Sequence, residues 1–334
     1  GTSTMSSFDD MIEDYRGAVD TQFAKTSIMR GFYPIKSILG TDTVVQRRVG
    51  RTTLPTLTDG VRPPPTRTHF GTVSVSVEVI LLARNERPML NELQTDFNAR
   101  AELGRDHGKE LGKKFDESVL IVGRRAAQVN LGASGSVPGT NHGLVVGTPA
   151  PTASGGNSYN GAFGAGKQFN LTTAAEALDG ADIYNAIEAI LVAMEEEDIE
   201  TDEHVIFLRP KQYSAVLNDM KDSLLNKDLS MDNGDFASGE VKTLLDVPIV
   251  KTARIPKVAN SSHELGADFN TSAAEARCAA LILHPKSVLV GETIPMSSKI
   301  WFNDEEKSWF IDSWMAFGAA PDRSDVSGAV FYPA

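Results

Sequence analysis

From Pro88 to about Gln128 the small and apolar positions fall at Leu93, Phe97, Ala101, Gly104, Gly108, Leu111, Phe115, Val119, Val122 and Ala126. The steps are three and four throughout, the spacing of one buried helix face. Pro88 suits a first helical turn. About 40 residues rising 1.5 Å each reach roughly 60 Å. That exceeds the width of most single domains, so this helix must be a spine across which other elements lie. Gly104, Gly108 and Gly112 repeat every fourth residue, and each costs about 1 kcal/mol relative to Ala inside a helix. The expectation is a bend, or the close approach of another backbone.

The segment before the spine is equally constrained. In "FGTVSVSVEVILL" Val73, Val75, Val77, Val79 and Leu81 alternate with Thr72, Ser74, Ser76 and Glu78, which predicts a strand with one buried face. "VVQRRVGR" predicts an earlier strand over about 43–51. Between them lies "TTLPTLTDGVRPPPTRT", too stiff and polar for a core. Two strands joined by such a tip make a long hairpin projection. It buries little against its own chain, so it is expected to pack on a neighbour.

Residues 1–40 read as an arm with a short acidic helix around Phe8–Gly17. The stretch 130–170, dense in Gly, Ser, Thr, Pro and Asn, reads as a long loop or insertion and not as a core element. Helical sequence follows to about Ile199, then a buried strand "HVIFLRP", a helix opening at Pro210, and strands "VPIVKTARIP", "CAALILHP" and "SVLVGE". An amphipathic hairpin turning at Asn303–Glu306 comes near the end. The fold class is α+β.

Charge is unevenly spread over this plan. Residues 16–70 carry nine Lys/Arg against three Asp/Glu, whereas residues 129–334 carry 14 against 28. Such asymmetry fits a nucleic-acid arm on an acidic body or, the preferred reading, docking of the basic segment of one copy on the acidic body of another, which complementary potentials favour. Arg47, Arg48, Arg51, Arg62 and Arg67 are the candidate intersubunit residues, and no aromatics are interleaved with them for base stacking. No run approaches 18 apolar residues, so no membrane span is expected. The first ten residues have neither the basic nor the apolar region of a secretory signal.

Chemical motifs are sparse. "GAFGAGKQF" has the spacing of a phosphate loop, with Lys167 as its lysine. It lacks the preceding apolar strand, and Gln168 stands where a magnesium-binding Ser or Thr belongs. Lys167 is therefore expected to be a surface charge at the end of a flexible insertion, and "WFIDS" (309–313) is only a weak partner acid. The six histidines show no paired spacing of three or four. "KDLSMDNGDFASGE" misses the calcium-loop pattern by one place from Asp228. "EEEDIETDE" (195–203) reads as a solvated helix end. Cys278, the single cysteine, reads as a core residue. Trp301, Trp309 and Trp314 read as core or interface residues more readily than as a ligand cradle. No catalytic residue, cofactor or metal is expected, and the chain is not read as an enzyme.

The order of arm, projection, spine, α/β region and closing hairpin resembles the major capsid proteins of tailed bacteriophages with the HK-97-like fold. Among these it is most similar to those of short-tailed, T-seven-like podoviruses. The residues that carry the likeness are "AKTSIMR" (24–30), "VGRTT" (49–53), "RPKQYSAVL" (209–217), "LLDVPIVKTARIP" (244–256) and "MAFGAAPDRSDVSGAVFY" (315–332). The insertion at 130–170 departs from that pattern. The resemblance implies an N-terminal arm (1–40), an E-loop hairpin (41–84), and a first P-domain part (85–170) holding the spine helix 88–128 and the insertion 130–170. An A-domain (171–283) and closing strands of the P-domain and A-domain (284–334) complete it. It also implies hexamers and pentamers closing an icosahedral head around double-stranded DNA in a virion. Assembly would take place in the host bacterial cytoplasm, with a scaffolding protein and a portal as partners. An encapsulin-type nanocompartment shell is the alternative within the fold, and a P-loop nucleotide-binding enzyme using Lys167 the alternative outside it.

Overall fold

A computed structural model describes residues 3–334 except 51, 53, 66–67, 69, 95–98, 133–136, 150–163, 223–233, 236–239 and 242. In chain order the first elements are α1 (Ser3–Thr26), α2 (Met29–Phe32), β1 (Ile35–Ser37), β2 (Thr43–Val49), β3 (Phe70–Ser76) and β4 (Leu81–Pro88). Next come α3 (Met89–Gln94), α4 (Ala99–Ala127), β5 (Gly143–Val146), β6 (Lys167–Asn170), α5 (Gly180–Glu196), β7 (Val205–Leu208) and α6 (Pro210–Asp222). The remainder are β8 (Gly234–Asp235), β9 (Glu240–Val241), β10 (Thr243–Leu244), β11 (Val247–Lys251), β12 (Cys278–Leu283), β13 (Val288–Asn303), β14 (Ser308–Pro321) and β15 (Gly328–Phe331).

The chain forms two compact units. The first comprises Gly1–Val44, Val75–Val119 and Val290–Ala319. Its four-stranded sheet has the order β1-β13-β14-β4, with β1 parallel to β13 and β4 antiparallel to β14. The glycine repeat explains how α1 lies on α4. A Cβ at Gly108 would stand 2.5 Å from the Val19 carbonyl oxygen and 3.1 Å from the Phe23 amide nitrogen. At Gly104 it would meet the Tyr15 ring at 2.8 Å, and at Gly112 the Thr26 Cβ at 3.2 Å. Three missing side chains thus make a groove for a second backbone. Tyr15, Val19 and Phe23 are buried there, each apolar side chain contributing roughly 1.5–3 kcal/mol. This is why the N-terminal helix runs over 24 residues and not the ten or so its acidic stretch suggests. Asp116 fixes the turn that follows, accepting hydrogen bonds from Ser27 Oγ (2.7 Å), Ile28 N (2.9 Å) and Met29 N (3.2 Å).

The second unit comprises Val45–Ser74, Leu120–Leu289 and Ala320–Ala334. Its seven-stranded mixed sheet has the order β10-β11-β7-β12-β15-β6-β5. The central strands β12 and β15 are buried at every position, the mark of a sheet covered on both faces. The apolar stripe of α5 (Ile183, Ile187, Ile190, Met194) packs in this core. Asp179 caps that helix, accepting from Ala181 N at 2.9 Å. The chain enters β6 so close to the end of α4 that a Cβ at Gly166 would lie 2.1 Å from the Ala127 carbonyl oxygen.

Several sequence expectations need correction. The alternating run from Phe70 is two strands, because residues 77–80 leave the first sheet pairing and β4 joins β14 instead. Pro88 ends β4 and does not open the spine. The Gly-rich stretch is not wholly a loop: β5 and β6 pair antiparallel, and β6 lies beside β15 in the central sheet. Gly147 and Gly166 there serve close backbone crossings, which composition cannot distinguish from flexibility. The helical reading of 171–199 shrinks to α5, since Leu171–Asp179 is turn and 3-10 helix.

Candidate assembly surfaces

Lys167, the lysine of the phosphate-loop look-alike, is fully buried. Its Nζ donates to Glu197 Oε2 and to the Asp325 carbonyl, both at 3.0 Å. It begins a strand, not a helix, and its charge is spent inside the protein. The surface-charge expectation fails, and so does the nucleotide reading: no phosphate reaches this amine. Asp312, in the weak partner motif, instead accepts two hydrogen bonds from Arg84 (2.7 and 2.9 Å) and one from Trp301 Nε1 (2.9 Å).

The strands β2 and β3 form a two-stranded sheet of their own. Period-two alternation divides the predicted arginines of β2 between its faces. Arg48 turns inward, where Nε donates to Asp322 Oδ1 and a second guanidinium nitrogen to the Pro321 carbonyl, both at 2.9 Å. Gln46, on the same face, donates to Asp322 Oδ2 at 2.9 Å. Arg48 is thus committed within the chain, and Asp322 anchors the base of the projection. Arg47, on the opposite face, and Arg62, near the tip, are exposed, and neither has an ion-pair partner among the described residues. Arg51 and Arg67 lie outside the described residues. Around the exposed arginines the projection leaves Val49 65%, Phe70 68%, Leu57 75% and Leu54 92% exposed. Isolated exposed apolar residues are ordinary, but a run of them along one projection marks an interaction surface. The tip turns back through a bridge between Thr58 and Val61, with Gly60 at φ 78°.

A second surface lies on the four-stranded sheet. In β14 the odd residues Trp309 and Ile311 face the cluster of Tyr15, Val19 and Ile300. The even residues Phe310, Asp312 and Trp314 lie on the other face, opposite Glu86, Arg84 and Leu82 of β4. Trp301 stacks on Phe310 with ring centroids 4.7 Å apart and planes 16° apart. The Arg84 guanidinium sits 5.9 and 5.7 Å from the two ring centroids. Leu82 and Arg84 are about half exposed. The three tryptophans therefore form no cradle: Trp309 packs inward, and Trp301 and Trp314 share the outer face. Nothing in the sequence paired Arg84 with Asp312, which are 228 residues apart.

The inner side of that sheet is closed by a polar knot. Tyr15 Oη lies 2.7 Å from Ser313 Oγ and 3.1 Å from His107 Nδ1. Burial, with the Asp312 charge adding to it, pushes the phenol up to about 12 despite the Ser313 hydrogen bond. The serine–histidine contact is sealed from solvent, so it ties α1, α4 and β14 together and attacks nothing.

In the second unit, a groove of about 660 Å³ is lined by Glu197, Asp198, Glu200, Asp202 and Glu203 with His284, Lys286 and Arg323. The acidic run is thus more than a solvated helix end, since Glu197 holds Lys167 and Glu203 lies 3.1 Å from His284 Nε2. His284 in turn meets His204, ring centroids 5.0 Å apart. Burial first, and the neighbouring His284 second, pull the His204 imidazole down to about 4. Sequence spacing hid this pair. Among the described residues no group of three or more His, Cys, Asp or Glu is placed to hold a metal ion, and no helix is long and apolar enough to cross a membrane. The calcium-loop look-alike from Asp228 falls largely outside the described residues.

Residues 147–289 match the family model "Gp10A-like: Major capsid protein". No curated protein matches the chain in sequence. Among solved structures it is similar to the subunit of the bacteriophage PhiM1 mature capsid, with a TM-score of 0.73 and 23% identity over 92% of this chain and 87% of that one. The capsid of cyanophage P-SCSP1u gives 0.71 and 16% over 92% and 88%. A virus-like particle from Pyrococcus furiosus gives 0.51 and 12% over 95% and 98%. The chain has the HK-97-like fold.

Proposed function

We infer that this chain, with its HK-97-like fold and a central region similar to the Gp10A-like family, is a major capsid protein, a repeated building block of a phage shell. Its copies associate in a homo-oligomeric lattice, as hexamers and pentamers of an icosahedral head around double-stranded DNA. A scaffolding protein and a portal take part, and assembly takes place in the host cytoplasm. The observation that carries this reading is the likeness, over 92% of the chain, to a mature capsid subunit.

The surface chemistry supports it. A ribbon with four large apolar residues at least 65% exposed is a liability for a monomer and an asset for a lattice, where neighbours cover it. Arg47 and Arg62 add positive charge to a projection whose neighbours carry acidic bodies. The net charge of −12 keeps the container from adhering to packed DNA, because fixed negative charge repels phosphate. The role is structural and uses no catalytic residue.

Electron microscopy of the purified protein, expressed alone and with a scaffold, tests the reading. Closed shells are expected, and their absence in both preparations would overturn it. Native particles filled with DNA support the phage head. Particles loaded with an enzyme would shift the reading to an encapsulin-type compartment.

A further inference from the structure

We propose that His204 and His284 form an acid-sensitive latch on the base of the projection, acting through the segment 321–327 that both of them hold. On one side of that segment His204 Nε2 donates to the Val326 carbonyl at 3.1 Å, and Lys167 Nζ to the Asp325 carbonyl at 3.0 Å. On the other side stands the turn 284–287. Ser287 N and Oγ donate to the His284 carbonyl at 2.9 and 2.7 Å, and Lys286 N donates to His284 Nδ1 at 3.0 Å. The turn's own carbonyls then accept from the segment: that of Lys286 from Arg323 N at 3.1 Å, and that of Ser287 from Asp322 N at 2.9 Å. The carboxylate of the same Asp322 holds Gln46 and Arg48 of β2. Hydrogen bonds therefore tie both imidazoles to the one segment that carries the projection's root.

The partners fix both rings in the neutral form whose proton is on Nε2. A carbonyl only accepts, so His204 must donate from Nε2 to Val326. An amide N–H only donates, so His284 Nδ1 is bare, and its Nε2 lies 3.1 Å from Glu203 Oε2. A further proton has to enter each ring at Nδ1. At His284 it would set one N–H against that of Lys286 and unseat the turn. At His204, Nδ1 is buried with no partner among the described residues, and a charge placed there is costly. The charged neighbours do not offset this. Around His204 stand the Lys167 ammonium and the second imidazole, whose ring centroid is 5.0 Å away. Around His284, Glu203 and Asp325 oppose Lys286 and Arg323, and Asp325 is already paired with Arg323, as Glu197 is with Lys167. His284 lines the groove beside Glu203, which gives solvent protons a path to the pair. Burial lowers both imidazoles below their ordinary 6.5, so the latch is closed above that value and opens as pH falls. Acid thus loosens the segment and, through Asp322, the root of the projection.

Hydrogen exchange of the full chain at neutral and at mildly acid pH, corrected for the pH dependence of amide chemistry, tests the latch. With His204 held at about 4 against an ordinary 6.5, protection of 321–327 and of 45–49 should fall roughly eightfold from about pH 7 to about pH 5.5. Helix α5 should keep its protection. The double variant His204→Gln/His284→Asn retains a donor for Val326 and an acceptor for Lys286 N–H, yet takes up no proton. Its protection should be equal under both conditions. Asp322→Asn cuts the connection further along, so 45–49 should lose its acid response while 321–327 keeps it. A wild-type chain equally protected at both pH values would overturn the latch, whether or not the variants fold. So would an acid response that survives in the double variant, or one at 45–49 that survives in Asp322→Asn. Each of these results leaves the capsid reading standing.

Discussion

One methyl group at Gly108 sets two effects of opposite sign against each other. Inside a helix Ala is favoured over Gly by about 1 kcal/mol. At Gly108, however, the new carbon would lie 2.5 Å from the Val19 carbonyl oxygen and 3.1 Å from the Phe23 nitrogen. Both are backbone atoms that cannot rotate away, so α1 must retreat by nearly an ångström to reach ordinary contact. Overpacking of this kind costs about 1–3 kcal/mol. The retreat also loosens Val19 and Phe23, and losing a third of their burial adds roughly 1–2 kcal/mol. Subtracting the propensity gain leaves Gly108→Ala destabilised by about 1–4 kcal/mol. Gly17 supplies the internal control. It lies in α1, and a Cβ added there would have nothing within 4 Å, so Gly17→Ala should gain up to about 1 kcal/mol. Gly104→Ala should fall between, because its closest neighbour is a side-chain ring at 2.8 Å. Urea unfolding of the unassembled chain, with limited proteolysis of α1 as a local readout, measures the order. If Gly108→Ala stabilises as much as Gly17→Ala, α1 does not sit in the glycine groove.

Lys167→Ala should cost about 2–4 kcal/mol, below the usual cost of breaking a buried pair because Glu197 is a quarter exposed; Lys167→Met should recover part of this in the same melts. His204, held near 4 against an ordinary 6.5, takes up a proton more readily when unfolded. Stability should therefore be complete above about pH 6.5 and fall as pH drops toward 4, with a shallower slope in His204→Gln, the rest coming from His107 and His284, which burial also lowers; a flat wild-type profile across that window would contradict the burial argument. No lysine lies between Lys36 and Lys109, so the projection cannot supply one for a covalent lysine cross-link. Assembled shells heated in SDS should release a chain of 36.0 kDa, and a ladder from untreated shells would refute this.

Local patterns made much of the fold legible. The stripe from Gly104 to Ala126 marked α4, and the glycine repeat pointed to a bend or a close backbone, of which the second is found. Pro210 and the apolar run before it marked β7 and α6. What stayed hidden depended on contacts distant in sequence. Asp312 looked like a stray catalytic acid until Arg84 and Trp301 were seen to claim it. Lys167 looked exposed because glycines precede it, yet strand pairing with β15 draws it inside. Arg48 and Arg47 are identical in sequence terms, and only the pleat of β2 sends one to Asp322 and the other to solvent. Composition picked out the arginines of β2, and strand parity decided which of them stays exposed.

Cys278 opens β12 in full burial, its thiol pushed up to about 11 chiefly by that burial. At neutral pH the thiol therefore stays protonated, the unreactive form. The chain's single sulfhydryl is thus out of reach of oxidants and of thiol exchange alike. The durability of the fold is in this respect redox-blind: it rests on packing and charge, and neither glutathione nor oxygen has a handle on that thiol.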